Sequence, residues 1–374
     1  MLIVQCFNQS FASVSRSLPR LARLGFSHVL ISPPQKSHSS RSWWGRYQPV
    51  DFTRIEGPLG SEDQLRSLCQ RAAERGLAVV ADTVIHHLSN ESRYLRVWAG
   101  RVVEARYPRF GPADFQGLYR PGRGRGLPVL NPSVPWVRQQ LAEFLGYLFE
   151  LGVRGFRFDS ARHLDPSLLG WLLRQLPPVL SFGEFVCAHP EEIPSVFLEH
   201  MLAYDFPLAH HLKRAFAPGG DLGSLVQPVS LWGPRSVPFV NHHDLVRNRA
   251  AFDFFRVGDP RDRELAHLYL LLRPHGIPLV YAPDLRSKLI QAGLEFRRAT
   301  EQRPMEWLAA SRQHLAWRRG SALVAINKSA QDWWWPAPLR AGAYHDVVQG
   351  QPVFSAGGTV QLRVPARGCR LLLD

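Results

Sequence analysis

The chain has few of the features that mark membrane, exported or disulfide-stabilised proteins. No apolar run approaches the roughly 20 residues of a membrane span, and the first residues, MLIVQCFNQS, lack the basic and apolar regions of a signal peptide. The four cysteines are far apart without CxxC or Cys/His spacing, which predicts reduced thiols and no metal site of that kind. We predict a chain with no membrane partner, located in the cytoplasm, or secreted if it is a processed form.

Lysine is also scarce. Only four of the 45 basic residues are lysine, so the other 41 are arginine, and the net charge is +14. A charge of this size can mark a nucleic-acid binder, whose affinity would fall steeply with salt. The arginines are spread along the chain, however, with no basic tail and no recognisable nucleic-acid module. We therefore expect no nucleic-acid partner.

What the sequence does contain is a large apolar fraction, 45% of 374 residues, in a repeated order of short apolar strand, turn and amphipathic helix. The predicted strands are 2–7, 28–32, 78–84, 155–159, 180–185, 202–206, 237–241 and 277–281. The predicted helices are 15–24, 61–75, 135–151, 166–176, 190–200, 207–216, 261–273 and 306–318. Eight strands separated by helices favour an α/β fold, a (β/α)8 TIM barrel.

Two segments interrupt this order. The stretch 88–134 is rich in Gly, Pro, Arg and Tyr, including PGRGRG at 121–126, and is too long for a structureless loop, so we predict a small inserted domain. After residue 319 the apolar residues recur at every second position. This pattern predicts a C-terminal antiparallel, β-sandwich-like domain at 320–374, after a barrel at 1–319. Alternation there sets Trp334 opposite Trp333 and Trp335.

Two strand ends carry acidic residues. In GFRFDSARH (155–163), Arg157 and Asp159 share one face of a strand, and the guanidinium is expected to lower the pKa of Asp159. In SFGEFV (181–186), Glu184 follows Gly183, which leaves room for something to approach. The apolar Phe182 and Phe185 are expected to raise the Glu184 pKa, as suits a general acid.

Three further segments end predicted strands. They are VPFVNHHD (237–244), ADTVIHH (81–87) and the aromatic WWGRYQP (43–49), whose rings can stack on sugar faces or fill a core. The paired histidines could be metal ligands, but no HExxH or Cys/His partner accompanies them. A βα barrel keeps its active site at the carboxyl ends of its strands, so the five segments predict one site.

The motifs resemble those of the α-amylase family, the family 13 glycoside hydrolases. DTVIHH (82–87), GFRFDSARH (155–163), GEF (183–185) and FVNHHD (239–244) match the four family motifs in order over nearly the whole chain. SPP (32–34) with WWGRYQP, and GAYHDVVQG (342–350), resemble the animal-type branch.

The resemblance implies a retaining hydrolase of α-1,4-glucosidic bonds in starch, glycogen or maltooligosaccharides. We also expect a monomer. The three tryptophans at 333–335 can pack the β domain against the barrel, which we favour, or form a secondary starch-binding patch. Asp159 is then the nucleophile, Glu184 the acid and base, and Asp244 the stabiliser of the transition state. The implied substrate-binding residues are Tyr47, Trp43, Trp44, Gln48, Asp82, His87, Arg157, Arg162, His163 and His243.

The sequence departs from the family at its ion sites. His86 and Val129 stand where the family usually has an Asn and an Asp that hold calcium, and these are poor ligands for a hard cation. His242 replaces an Asn of the animal-type chloride site, and His345 replaces a cysteine of a family disulfide. We therefore expect no calcium, no chloride activation and no cofactor.

Two alternatives to hydrolysis remain open. A transglycosylase of the same family would use the same residues and differ only in its acceptor. A non-catalytic sugar-binding or assembly member would keep the barrel, but the presence of all three acids and both histidines argues against it.

Overall fold

A computed structural model describes residues 1–120, 126–231 and 233–374. Most of the PGRGRG run and Trp232 lie outside the described residues. Eight strands belong to one sheet, and with the helices between them they give the predicted (β/α)8 barrel, followed by an antiparallel β domain. None of the helices in the described ranges is long and apolar enough to cross a membrane.

The chain divides into two compact units, one of residues 3–186 and 193–204, the other of residues 1–2, 187–192 and 205–374. The predicted boundaries, with the barrel at 1–319, the insertion at 88–134 and the β domain at 320–374, stay predictions.

In the first unit, six parallel strands pair in chain order, for example Ile3 with His28 and Phe156 with Ser181. The strands are Ile3–Cys6, His28–Ile31, Ala78–Thr83, Gly155–Phe158, Leu180–Gly183 and Leu202–Tyr204. The helices are α1 (Phe11–Arg23), α2 (Glu62–Ala73), α3 (Pro135–Glu150), α4 (Pro166–Arg174) and α5 (Ser195–Leu198). Strand Gly155–Phe158 is buried at every residue, as expected for a parallel strand covered on both faces.

The inserted stretch forms two antiparallel pairs, Leu95–Trp98 with Arg101–Ala105 and Phe115–Tyr119 with Leu127–Leu130. Backbone hydrogen bonds join the second pair to the segment that follows strand Ala78–Thr83: Leu130 N–H donates to the His86 carbonyl, and Leu88 N–H donates to that of Pro128, both at 3.0 Å. Main-chain pairing therefore fixes the insertion to the segment that leads into it from that strand.

The second unit holds the remaining barrel elements, strands Ser236–Val237 and Leu279–Tyr281 and helices α6 (Phe206–Phe216), α7 (His243–Arg247), α8 (Arg249–Phe252), α9 (Pro260–Leu272) and α10 (Lys288–Thr300). Asp259 and Ser287 cap α9 and α10 by accepting backbone N–H groups of the first turn. The side chain of Arg319 is buried and donates to four carbonyls, those of Leu272, Thr300, Glu301 and Arg303, at 2.8–2.9 Å. It therefore satisfies the carboxyl ends of both helices.

The β domain contains one six-stranded sheet and one two-stranded pair. Its strands are Met305–Ala310, His314–Arg319, Ala322–Asn327, Trp333–Leu339, Gly342–Asp346, Gln351–Ser355, Gly358–Val364 and Gly368–Leu373. Trp335 lies in the core of this domain with Ala337, Leu339 and Leu362. Trp334 is 63% exposed, as the alternation predicts. Trp333 stacks on His314 at 4.4 Å, so packing within the β domain accounts for two of the three tryptophans.

Several predicted elements were wrong. Residues 306–318 form two antiparallel strands instead of a helix, because Trp307 and Trp317 pair across a hairpin and pack edge to face at 5.3 Å. Helix α10 was not predicted, and 190–200 contains only a 3-10 turn and the four-residue α5. All four cysteines are buried and none forms a disulfide, in agreement with the prediction of thiols.

Candidate active site

The centre of the first unit's polar cluster is the guanidinium of Arg157, which is fully buried. Its Nη1 lies 2.8 Å from Asp82 Oδ1 and 2.7 Å from Asp159 Oδ1, and its Nη2 lies 2.9 Å from Glu184 Oε1. Burial lowers the pKa of Arg157, but the charges of the three carboxylates outweigh it and hold that pKa well above its ordinary value. The Arg157 guanidinium therefore contacts carboxyl groups from three strand ends.

Glu184 has a second donor at its other oxygen. The backbone N–H of Ser160 donates to Oε2 at 3.0 Å, and Ser160 adopts the left-handed region at φ 48° to present it. A side chain at Gly183 would meet Ala161 and Met201 at 2.8 and 2.6 Å, so the protein itself fills the space beside this glycine. The surroundings of Glu184 are thus polar on one side and not wholly apolar as the sequence suggested.

Tyr47 and His87 close another side of the cluster. The Tyr47 hydroxyl donates to Asp82 Oδ2 at 2.8 Å. His87 Nε2 lies 3.0 Å from the Tyr47 carbonyl, which can only accept, so this nitrogen carries the proton. Burial raises the pKa of Asp82, with Arg157 opposing and Asp159 adding to the rise, whereas burial lowers the pKa of His87.

The remaining predicted residues of this unit occupy the surroundings of the cluster. Trp43 packs edge to face on Tyr47 at 6.0 Å, and Trp44 is 40% exposed beside His38. Gln48 accepts the backbone N–H of Asn90 at 3.4 Å. The exposed Arg162 donates to the Val186 carbonyl at 3.0 Å. His163, also exposed, packs on His86 at a ring distance of 5.6 Å.

Asp244 and His243 form a group of their own in the second unit. His243 Nε2 lies 3.1 Å from Asp244 Oδ2, and Asn248 Nδ2 donates to Oδ1 at 2.8 Å. His242 is buried and caps α7 through its ring nitrogen. Each of residues 242–244 has one atom that could bind a metal ion, and these three atoms lie within 4.8 Å of one another. Because Asp244 is already held by His243 and Asn248, these contacts favour an oriented carboxylate over a metal site.

Tyr119 is a site residue that the sequence reasoning missed. Its ring stacks on His87 at 5.7 Å and contacts His163 at 5.1 Å. Burial raises its pKa, the Ser160 hydroxyl opposes the rise, and the charges of Asp159 and Glu184 add to it. Nothing in the sequence distinguishes this tyrosine from Tyr94 or Tyr107 in the same insertion.

The residues at the family's calcium position do not fit a calcium ion. His86 is buried against Tyr119 and His163, and Val129 is buried in its strand. Calcium requires six to eight oxygen ligands, and these side chains supply none. Burial, with His87 and His163 adding, lowers the pKa of His86 to about 4, so its ring stays neutral and packs as an aromatic group.

Comparisons with known proteins find α-amylases among the similar chains. The family model for the α-amylase catalytic domain matches residues 11–104. The chain is 29% identical to an α-amylase of Aeromonas hydrophila over 89% of this chain and 86% of that protein. It is also 29% identical to an α-amylase of Streptomyces violaceus, over 97% of this chain and 74% of that protein.

Solved structures share the fold. Wild-type α-amylase I of Eisenia fetida superposes with a TM-score of 0.87 at 21% identity, covering 100% of this chain and 97% of that one. A variant of that enzyme, solved with maltohexaose, gives 0.85 at 20% identity, with the same coverage of both chains. The barrel, its β domain and these relatives together define a glycoside hydrolase. Within that class, the chain is similar to members of the α-amylase family, the family 13 glycoside hydrolases.

Proposed function

We propose that this protein hydrolyses α-1,4-glucosidic bonds of starch, glycogen or maltooligosaccharides with retention of anomeric configuration. The observation that carries the proposal is the guanidinium of Arg157, which binds Asp159 on one nitrogen and Glu184 on the other. Two carboxyl groups held by one guanidinium are compatible with the short separation, about 5–5.5 Å, of retaining enzymes. The relative solved with maltohexaose supports an oligosaccharide substrate.

In the proposed first step, an Asp159 oxygen attacks the anomeric carbon while Glu184 gives its proton to the leaving glycosidic oxygen. The product is a covalent glycosyl-enzyme and a shortened glucan. In the second step, Glu184 takes a proton from water, the hydroxyl bonds to the anomeric carbon, and Asp159 leaves as a carboxylate. Arg157 holds Asp159 so that one oxygen stays oriented for attack.

Asp244 is proposed as the third acid, which binds substrate hydroxyls and stabilises positive charge on the distorted sugar. His243 and Asn248, which contact both of its oxygens, would keep the carboxylate in one orientation. His87, Tyr47, Tyr119 and the exposed Trp44 are proposed to contact the sugar rings. Arg162 and His163 would contact the next sugar.

The test is product analysis with a blocked maltoheptaoside, comparing the wild-type chain, Asp159→Asn and the exposed control Asp253→Asn. We expect wild type and the control to release maltooligosaccharides whose first-formed anomer is α by NMR, and Asp159→Asn to release none. A β anomer would contradict retention. Products longer than the substrate would identify a transglycosylase, and no turnover by wild type would refute the enzymatic proposal.

We further propose that the enzyme needs neither calcium nor chloride. An imidazole and an aliphatic side chain at the calcium position, and main-chain pairing of the insertion, support calcium independence. Treatment with EDTA should leave the melting temperature unchanged, and added chloride should leave the rate unchanged. A drop in melting temperature that calcium restores would contradict the first part.

A further inference from the structure

A cavity of about 470 Å³ lies in the second unit, outside the residues assigned to the reaction. Helices α9 and α10 and the segments after strands Ser236–Val237 and Leu279–Tyr281 form its walls. Four arginines line it: Arg249, Arg256, Arg263 and Arg286. We call this cavity the arginine pocket. Its volume is in the range of small-molecule sites.

The two carboxylates of the pocket already have partners. Glu264 Oε2 lies 2.8 Å from Arg261 Nη1, and Oε1 accepts the Ser287 hydroxyl at 2.6 Å. Asp284 accepts the Asn241 side-chain amide at 3.1 Å, and His267 Nε2 lies 3.5 Å from its Oδ2. Glu264 thus has a counter-charge in Arg261, and Asp284 is contacted by two side chains other than the four lining arginines.

The arginines, in contrast, have few acidic neighbours. Among the described residues, no carboxylate lies within 4.0 Å of the guanidinium of Arg249, Arg263 or Arg286, and Arg256 Nε is 3.7 Å from Asp253. Arg256 and Arg263 are half-buried, so their charges are screened less than those of free surface arginines. The pocket thus keeps a positive charge that its own acids do not neutralise.

We propose that the arginine pocket binds the phosphate group of a small molecule, either free phosphate or a phosphate monoester of a sugar. Guanidinium groups present paired N–H donors that match phosphate oxygens, and several of them around a concave site hold such an anion better than one could. This binding site is separate from the proposed catalytic residues, and its occupation does not require the hydrolytic function.

The test is calorimetric titration at constant ionic strength with two probes, inorganic phosphate and glucose 6-phosphate. The pocket variant Arg249→Gln/Arg286→Gln removes two exposed guanidinium groups. The matched control, Arg16→Gln/Arg71→Gln, removes the same charge from exposed positions on α1 and α2. Melting temperatures establish that each variant is folded. A third variant, Arg249→Lys/Arg286→Lys, keeps the charge and loses the paired donors.

We expect the pocket variant to bind at least about tenfold more weakly than wild type, the lysine variant to lie between them, and the control to match wild type. Binding of one probe alone supports the proposal and identifies the source of the phosphate group. Absence of binding by both probes, or equal weakening in pocket and control variants, overturns it. Asp159→Asn should bind both probes as wild type does, which keeps this test independent of the proposed hydrolysis.

Discussion

Two buried arginines of this chain have different partners. Arg157 contacts three carboxylates, whereas Arg319 donates to four backbone carbonyls. The carboxylates raise the pKa of Arg157 despite its burial. Burial lowers the pKa of Arg319, with Arg297 adding to the effect, because carbonyl groups carry no compensating charge. In a chain rich in arginine, the type of acceptor therefore separates an arginine that orients the carboxylates proposed to react from one that joins structural elements.

Replacing Arg157 by Met should have the largest effect. Three buried carboxylates would lose their common cation, which we expect to lower the free energy of unfolding by about 3–5 kcal/mol and to abolish turnover of the blocked maltoheptaoside. Urea unfolding and the kcat of the folded protein measure the two effects. Arg157→Lys, which keeps the charge without the paired donors, should retain more stability than Arg157→Met. Unchanged stability in the Met variant would refute the assigned role.

Replacing Arg319 by Met should lower stability without affecting catalysis. Four buried carbonyls would lose a donor, so the free energy of unfolding should fall by about 3 kcal/mol. The kcat of the folded fraction should stay at the wild-type value, because the side chain contacts backbone at the ends of α9 and α10 and at Arg303. A loss of kcat as large as that of Arg157→Met would show that the two arginines do not differ in this way.

The backbone N–H of Ser160 is a neutral donor to Glu184, one of the carboxylates that Arg157 contacts. Substitutions of Ser160 test the importance of this hydrogen bond. Because the residue has φ 48°, Ser160→Val should cost about 1–2 kcal/mol of unfolding free energy and displace the N–H from Glu184, lowering kcat. Ser160→Gly tolerates this conformation and should keep kcat near wild type. Equal kcat values for Val and Gly would mean that this hydrogen bond has no part in the reaction.

His86 is a third buried basic side chain, and it has no carboxylate in hydrogen-bond contact among the described residues. Its folded-state pKa is about 4 against an ordinary 6.5, so the unfolded chain takes up a proton between these values and the folded chain does not. Stability should therefore fall as pH decreases from 6.5 to 4, by at most about 1.4 kcal/mol per pH unit from this group. Urea unfolding at pH 7, 5.5 and 4.5 should show a shallower decline for His86→Gln. The exposed control His345→Gln should follow wild type, and identical slopes for both variants would contradict the assignment.

The barrel and its acidic strand ends could be predicted because both signals are local. Short apolar runs ending in charged residues locate strands such as Gly155–Phe158, and alternation sets Arg157 and Asp159 on one face. The elements that were missed have ambiguous local patterns. Strand Trp333–Leu339 was visible only in the alternation of its tryptophans, since it also contains Pro336 and Pro338, which are compatible with a strand because it pairs on a single side.

The contacts of the site were less predictable than its acids. Tyr119 reaches His87 from a different strand pair, and the Arg157–Glu184 pair joins residues of two strands, so both depend on tertiary structure. Pairing of Trp307 with Trp317 likewise overrode a helical spacing of apolar residues. Sequence periodicity identifies what an element is, whereas these partners follow from how the elements pack.

The four buried cysteines have a practical consequence. Burial raises the pKa of Cys6, Cys69 and Cys369 to about 12 each, so these three thiols form little thiolate at neutral pH. Cys187 is buried as well, which limits the access of reagents to it. A cysteine introduced at an exposed position, such as Trp334, would react with maleimide dyes far faster than the native thiols. Fluorescent labels could then be attached at chosen sites without first removing any native cysteine.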